Sequence, residues 1–278
     1  MSQGDMKQAP SRGRTWLEVL SGETGVVAGG VASVLKSDAT LAGEKVRFLA
    51  VVPDAASRFP RARNGEVGLE QGWTLASYVR EAIAEDQGGS PRPIVAIVDV
   101  PSQAYGRREE LLGIHLACAA AVDAYATARM AGHPIVALLV GKAMSGAFLA
   151  HGYQANQIIA FDDPGVMVHA MGKAAAARVT KRSVEDLEAL GETVLPMSYS
   201  IRNFARLGLL RTLISGINAD APASADIERV RAELVAAIKD ARAGERDLSN
   251  RLQSEAAQKI RHASIEVRRL MTEQWPTI

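Results

Sequence analysis

The chain has 278 residues, of which 47% are hydrophobic and 23% are charged, and its formal net charge is +1. This length accommodates one large α/β domain or two small ones. The near-neutral charge favours neither nucleic acid nor a membrane surface as a partner. The single cysteine excludes an intramolecular disulfide, and five histidines without metal-ligand spacing indicate that no metal is bound. We expect a cytoplasmic protein.

Hydrophobic periodicity predicts alternating strands and helices in the first two thirds of the chain. The polar composition of residues 1–14 predicts a flexible N-terminal tail. The strand and helix patterns predict that the folded core comprises residues 15–190. The expected elements in this core are a strand pair at Val31 to Lys36 and Lys45 to Val52, a helix at Leu69 to Glu85, a strand at Ile94 to Val100, a helix at Arg107 to Met130, and strands at Ile135 to Val140, Gln157 to Phe161 and Val166 to His169. This alternation predicts a mainly parallel sheet with crossover helices.

Residues 191–278 predict a helical C-terminal region for packing and subunit association. Apolar residues recur at helical spacing from Ile227 to Ile238 and again from Leu248 to Leu270. Such helices either cover a neighbouring subunit or cap their own domain, and the pattern alone does not choose between these two roles.

Two strand-to-helix bends carry the strongest functional signal. The second bend, residues 141–147, follows a buried strand and has glycine at positions 141 and 146, so its backbone can approach a ligand closely. The first amides of the next helix have no intrahelical acceptor and suit a negatively charged oxygen. The first bend, residues 101–106, has a similar design about forty residues earlier. If the two strands are neighbours, both bends can direct an N–H group at one oxyanion. The alternative is that the glycines only allow close packing.

The motifs around these bends resemble those of a known group. The first motif is Asp99-Val100-Pro101-Ser102-Gln103-Ala104-Tyr105-Gly106, with Glu110 and Gly113-Ile114 after it. It is similar to the Asp-x-Pro-Gly-Phe-x-x-Gly…Glu-x-x-Gly-Ile block of carboxyltransferase subunits of biotin-dependent carboxylases, except that Ser102-Gln103 replaces Gly-Phe. The second bend resembles their glycine-rich turn, and Met171-Gly172 followed by alanines resembles their Met-Gly segment. In length and motifs the chain is most similar to the gamma-subunit family of biotin-independent malonate decarboxylases.

This resemblance implies an α/β crotonase-like fold, a spiral of ββα units with a helical C-terminal region. It also implies that the chain works with a homologous beta subunit and an acyl carrier protein. The implied substrate is a malonyl thioester on the carrier, whose prosthetic group is a modified dephospho-coenzyme A. The products are the acetyl thioester and carbon dioxide. The chain itself is expected to bind no cofactor.

Decarboxylation of a malonyl thioester creates an enolate, so the reaction needs hydrogen-bond donors at the thioester oxygen and no nucleophile. We predict as backbone donors the amides of Gly146, Ala147 and Gln103. The expected proton donors for the resulting carbanion are Tyr105, Glu110 and His169. The residues predicted to contact the substrate are Gly141, Ser145, Met171, Gly172 and Lys173. Lys173 also begins a basic cluster with Arg178, Lys181 and Arg182 that suits phosphates or an acidic carrier, although such a cluster can also be a solvated helix face.

Three other functions are compatible with these motifs. The chain could be a carboxyltransferase subunit that passes the carboxyl group to biotin, or a non-catalytic structural partner. Caseinolytic serine peptidases also resemble it at Gly141 to Phe148 and Met167 to His169, which suggests hydrolysis by Ser145 with His169. In that alignment, however, the peptidase nucleophile falls on Met144, whose thioether cannot attack a carbonyl.

Overall fold

A single mixed sheet organises residues 11–275, the part of the chain that the computed structural model describes. Its seven strands are β1 (Val34–Leu41), β2 (Glu44–Val51), β3 (Ile94–Val100), β4 (Ile135–Met144), β5 (Gln157–Phe161), β6 (Met167–His169) and β7 (Thr212–Ile214). The order is β1-β2-β3-β4-β5-β7, and β6 pairs with the end of β4. β1 and β2 are antiparallel and all other pairs are parallel, which confirms the predicted strand pair and parallel sheet.

Helices connect and cover these strands. Their bounds are α1 (Arg12–Ser21), α2 (Leu69–Glu85), α3 (Arg107–Leu111), α4 (Ile114–Met130), α5 (Ser145–Ala150), α6 (Lys173–Thr180), α7 (Val184–Thr193), α8 (Ile201–Arg206), α9 (Ser224–Ala243), α10 (Asn250–Gln253), α11 (Glu255–Ile260) and α12 (His262–Gln274). The crossover helices α2 and α4 pack closely at Gly72. A Cβ built on this residue would lie only 2.6 Å from the Ala117 carbonyl oxygen. The alanine-rich sequence of α4 therefore serves the close packing of helices on a sheet.

The core lies on both faces of β3 and β4. Their apolar residues are almost completely buried, as expected for parallel strands covered by helices on each side. Helix α1 packs against β1 to β4 and contributes Trp16, whose ring lies 4.6 Å from that of Phe161. The buried core thus holds the carboxyl ends of β3 and β4, where both bends begin, in fixed positions.

The N-terminal prediction needs a correction. Residues 1–10 of the predicted flexible tail lie outside the described residues, whereas residues 12–14 belong to α1. Ser11 caps this helix, and Arg12 donates hydrogen bonds to Asp163 at 2.8 Å and to the backbone carbonyl of Val140 at 3.2 Å. These long-range contacts, which composition does not reveal, order the segment.

Several elements also differ in extent from the prediction, including β1, which ends at Leu41 and not at Lys36. The helix expected at Arg107 to Met130 is divided into α3 and α4 by Gly113, which has a φ of +83°. Strand β4 continues to Met144 because its last three residues pair with β6. β7 pairs with β5, so the sheet extends into the region expected to be helical, and the amphipathic stripe after Leu248 is divided among α10, α11 and α12. The domain boundary at residue 190 stays a prediction.

Candidate functional site

Parallel pairing of β3 with β4 brings the two bends to the same edge of the sheet. Ile94 pairs with Ile135 and the register continues to Val98, after which it shifts, so that Val100 pairs with Ala143. The Asp99 carboxylate accepts a hydrogen bond from the Lys142 amide at 3.1 Å. Because a Cβ at Gly141 would lie only 2.1 Å from that carboxylate, glycine is required there. Gly141 is buried inside β4, where it makes room for Asp99.

The second bend presents two free amides. β4 leads directly into α5, and Ser145 turns the chain with a φ of +60°, an uncommon value for a residue other than glycine. The Met144 side chain does not cap the helix. Among residues 11–275, no acceptor takes a hydrogen bond from the amides of Gly146 or Ala147. Both predicted donors are therefore unoccupied by any acceptor in the described part of the chain.

The first bend is held by an isolated β-bridge to Val67. The Val67 amide donates to the Ser102 carbonyl at 3.0 Å, and the Ala104 amide donates to the Val67 carbonyl at 2.9 Å. This pairing uses the groups on either side of Gln103 and leaves its own N–H without an acceptor in the described part of the chain. The Gln103 amide is thus a third free donor.

The two bends contact each other directly. A Cβ built on Gly146 would lie 1.9 Å from the Gln103 side-chain oxygen, so the two residues are in contact. The Tyr105 hydroxyl and the Ser145 hydroxyl form a short hydrogen bond of 2.5 Å. Tyr105 is half exposed, so this pair lies at the rim of the site. All four of these residues were predicted to belong to the site, whereas their pairing was not predicted.

A cavity of about 450 Å³ opens beside the second bend. Its walls include Ser145, Gly146, Tyr153 and His169, together with apolar side chains such as Phe148 and Phe204. The cavity therefore joins a donor-rich bend to an apolar interior, which strengthens electrostatic interactions at the bend.

His169 lies in this cavity with a fixed orientation. Its ring stacks on Tyr199 with 4.0 Å between ring centroids, and its Nδ1 lies 3.1 Å from the Met171 carbonyl oxygen. The Tyr199 hydroxyl donates to the same carbonyl at 2.8 Å. Burial lowers the pKa of His169, so the ring is neutral at pH 7. Met171 therefore contributes its backbone to the positioning of His169.

Gly172 and Lys173 lie at the start of α6. Gly172 is its N-cap and has open space where a Cβ would be. Lys173 lines a second cleft of about 610 Å³ and forms an ion pair with Glu188 at 2.5 Å. The other members of the basic cluster, Arg178, Lys181 and Arg182, are exposed. Glu188 thus partly neutralises this cluster.

The structure does not bring Glu110 into the site. Its side chain is exposed on α3; burial raises the pKa of the Cys118 thiol, and the charge of Glu110 adds to that rise. The neighbouring Glu109 is buried against Gly106 instead, as expected for adjacent residues that face different sides of a helix. The peptidase alternative also lacks support, because the Ser145 hydroxyl bonds to Tyr105 and the His169 Nδ1 faces Met171.

Sequence reasoning missed two residues that support the site, Asp99 and Tyr199, and it interpreted His151 as a capping or interface residue. Asp99 stands in the motif quoted above, so its position was visible while its contact with Lys142 was not. His151 is completely buried, with Nδ1 3.0 Å from the Tyr125 hydroxyl and Nε2 3.0 Å from the Ile97 carbonyl. Burial lowers its pKa to about 4. A histidine within an apolar run was the available signal.

Residues 11–275 contain neither a metal-binding group of side chains nor a membrane-spanning helix. No group of three or more His, Cys, Asp or Glu side chains in that range could hold a metal ion. No helix within it combines the length and apolar character required to cross a bilayer.

Comparison with known proteins identifies the fold and the family. A chain in a Pseudomonas malonate decarboxylase hetero-tetramer in complex with coenzyme A is 58% identical, with a TM-score of 0.92 over 96% of this chain and 100% of that chain. A Pseudomonas MdcD-MdcE hetero-dimer gives 56% identity and a TM-score of 0.89, with the same coverage. Transcarboxylase 12S, at 19% identity and a TM-score of 0.60, covers 84% of this chain and 40% of that one and shares the fold.

The fold and the paired bends define a crotonase-like protein of the carboxyltransferase type, as the sequence predicted. A family model for the malonate decarboxylase gamma subunit matches residues 62–275. The chain therefore belongs to the malonate decarboxylase gamma subunit family. Malonyl-S-ACP:biotin-protein carboxyltransferase MADD of Malonomonas rubra is 38% identical over 165 residues, which are 58% of this chain and 56% of that protein. The match thus spans about half the length of that curated relative.

Proposed function

We propose that this chain supplies half of the active site of a malonyl-thioester decarboxylase and acts with a homologous beta subunit. The observation that carries the proposal is the contact between Gln103 and Gly146, which brings free amides from two bends to one place. Membership of the malonate decarboxylase gamma subunit family supports the reaction. The similar Pseudomonas MdcD-MdcE hetero-dimer supports the partner. A cytoplasmic location is part of this proposal, in keeping with a free thiol at Cys118.

In the proposed reaction, the thioester oxygen lies between the two bends. Loss of carbon dioxide moves the electron pair of the breaking C–C bond into an enolate, whose charge collects on that oxygen. The amides of Gly146, Ala147 and Gln103 stabilise this charge more strongly than the neutral carbonyl, which lowers the barrier. The loss of one such donor costs about 100-fold to 1000-fold in rate in other enzymes.

The carbanion must then receive a proton to become the acetyl group. Tyr105 is the proton donor that the geometry favours, because its hydroxyl contacts Ser145 at the rim of the second bend. His169 is neutral and turned toward Met171, which suits a positioning role in the cavity wall. Glu110 is exposed on α3, so we assign it no part in the reaction.

The proposed substrate is carried by an acyl carrier protein through a prosthetic group that resembles coenzyme A. The similar hetero-tetramer in complex with coenzyme A supports this class of ligand. The exposed basic residues Arg178, Lys181 and Arg182 are suited to an acidic carrier surface or to phosphates of the prosthetic group. Gly172, at the start of α6, has open space around it and suits a close approach by the prosthetic group.

Reconstitution tests this proposal. The purified chain alone should release no carbon dioxide from malonyl carrier protein, whereas the chain mixed with the beta subunit should do so. Full activity of the isolated chain would contradict a shared site, and inactivity of the assembled pair would contradict the reaction.

Transfer of the carboxyl group to biotin is a second candidate function, favoured by similarity to a malonyl-S-ACP:biotin-protein carboxyltransferase. The same bends would stabilise the same enolate, so the two functions differ only in the acceptor of the carboxyl group. Turnover that requires a biotinylated protein would establish transfer, whereas turnover in the presence of excess avidin would establish direct decarboxylation.

A further inference from the structure

Two arginines contact the loop of residues 153–156 and a third contacts one of them, and we call Arg129, Arg251 and Arg261 the arginine cluster. Arg251 donates to the carbonyls of Tyr153 at 2.7 Å and Ala155 at 2.5 Å. Arg129 approaches the neighbouring Gln154 carbonyl at 3.4 Å. Arg261 donates to the carbonyl of Arg251 at 3.0 Å. Two guanidinium groups, from α4 and α10, thus bind one loop, and the third binds the backbone of Arg251.

The cluster contains buried polar atoms that lack partners. Only 8% of Arg129 is exposed, and neither its Nε nor the Nε of Arg251 has a hydrogen-bond acceptor within residues 11–275. The adjacent Asn250 donates from Nδ2 to the Asn156 carbonyl at 2.8 Å, which fixes its amide and leaves Oδ1 without a donor. Four buried side-chain atoms lack partners in the described range, and three of them are here. Native proteins rarely leave such groups unsatisfied, so their concentration at one loop indicates a ligand.

The positive charge of the cluster is also not neutralised. In the described part of the chain, no carboxylate lies within 4.0 Å of Arg129, Arg251 or Arg261. Asp247 acts on Arg129 only at longer range and is itself exposed, where it accepts a hydrogen bond from the Ser249 amide. Burial and the neighbouring guanidinium groups lower the pKa of Arg251 to about 10. An anion in this place would relieve both the charge repulsion and the unsatisfied donors.

We propose that the arginine cluster binds a phosphate group that carries a free hydroxyl, either inorganic phosphate or a phosphate monoester. Guanidinium groups match the geometry and charge of phosphate oxygens. The unsatisfied Oδ1 of Asn250 additionally requires a donor, which the P–OH group of hydrogen phosphate supplies and sulfate lacks. This site is separate from the two bends and does not depend on the decarboxylase function.

The site also contacts the wall of the active-site cavity. The Arg251 guanidinium lies 4.8 Å from the centroid of the Tyr153 ring, and Tyr153 is one of the residues that line the 450 Å³ cavity. Occupancy by an anion would hold Arg251 in place and, through it, the position of this ring.

Calorimetric titration of the full chain with inorganic phosphate tests the proposal. We expect one site per chain with a Kd of about 1 mM or tighter, and binding of sulfate about tenfold weaker at equal ionic strength. Arg129→Gln should weaken phosphate binding about tenfold or more. The matched control is Arg14→Gln, since among residues 11–275 the Arg14 side chain forms an ion pair only with Glu18 of its own helix. Phosphate at ten times its Kd for the wild type should raise the Tm of the wild type and of Arg14→Gln by about 2 °C. The same phosphate concentration should leave the Tm of Arg129→Gln almost unchanged.

A parallel titration with phenyl phosphate at pH 5.5, below the second pKa of about 6 at which a phosphate monoester loses its P–OH proton, separates the two sources of the group. Binding of both compounds indicates that the phosphate group alone is recognised, and binding of phenyl phosphate only indicates a phosphate attached to an organic ligand. If neither binds, or if sulfate binds as tightly as phosphate, the proposal is wrong. If Arg129→Gln does not fold, as judged by the loss of a cooperative melting transition, Arg129→Lys replaces it, because it keeps the charge and removes the Nε donor.

Discussion

Replacement of Gly146 by alanine tests the contact between the two bends. The new Cβ would lie 1.9 Å from the Gln103 side-chain oxygen, so that oxygen must withdraw by about 1 Å to reach a tolerable distance. We expect the Gln103 backbone, which carries the proposed donor, to move with its side chain, and a displacement of about 1 Å at a catalytic group costs about 100-fold in rate. Gly146 lies in the first turn of α5 without a positive φ, so alanine suits its backbone and should leave Tm unchanged or slightly higher. We therefore expect Gly146→Ala to lower kcat about 100-fold in a stable protein.

A double replacement identifies the cause of this loss. With Gln103→Ala also present, the nearest side-chain atom of residue 103 is its Cβ, at an ordinary contact distance of 3.9 Å. Because the proposed donors are backbone amides, the double variant should recover to within about tenfold of wild-type kcat. The single Gln103→Ala variant is the control and should remain close to wild type.

The assay is carbon dioxide release from malonyl carrier protein by each variant assembled with the beta subunit. Size-exclusion chromatography verifies that assembly is intact, which separates a catalytic defect from a defect in association. A Gly146→Ala complex with wild-type kcat would refute the role of the bends and would favour a purely structural subunit.

Three further predictions concern other parts of the structure. Tyr105→Phe should lower kcat about 100-fold without a change in Tm, as measured by carbon dioxide release, because it removes the proposed proton donor. The free energy of unfolding should fall by about 3 kcal/mol as the pH drops from 6.5 to 4. The reason is that His151 takes up a proton near pH 6.5 in the unfolded chain but only near pH 4 in the folded chain. Urea titrations at both pH values should show a smaller fall for His151→Gln. Arg12→Gln should lower the free energy of unfolding by about 2 kcal/mol in urea, since it leaves Asp163 without its partner, and an unchanged midpoint would contradict that role.

The sheet could be predicted from the sequence because its central strands are buried on both faces and therefore read as unbroken apolar runs. Ile94–Val100 matched its prediction fully. The last residues of β4 were not predicted as a strand. Gly141 to Met144 lack β-branched side chains and form a strand only through pairing with β6. The division of the long helix at Gly113 was also missed, because a single glycine does not by itself end a helical pattern.

The site could be predicted only in part. Glycines and free amides are local features, so the bend that contains Gly146 could be recognised from the sequence. Which side chain faces Gly146 depends on the register between β3 and β4, and the Gln103 contact therefore could not be derived. The same holds for Tyr199, which reaches His169 from thirty residues further along the chain. Glu110 was wrongly expected in the site. The direction of its side chain depends on the break between α3 and α4, which was not predicted.

The connection between β3 and β4 has a consequence for folding. The donors at Gln103 and Gly146 are separated by the whole of α4, and they meet only after the two strands pair in parallel. Such non-local pairing has a high contact order and forms slowly, because a long loop must close before any pairing energy is gained. Newly synthesised chains should therefore acquire catalytic competence late, when the centre of the sheet is complete.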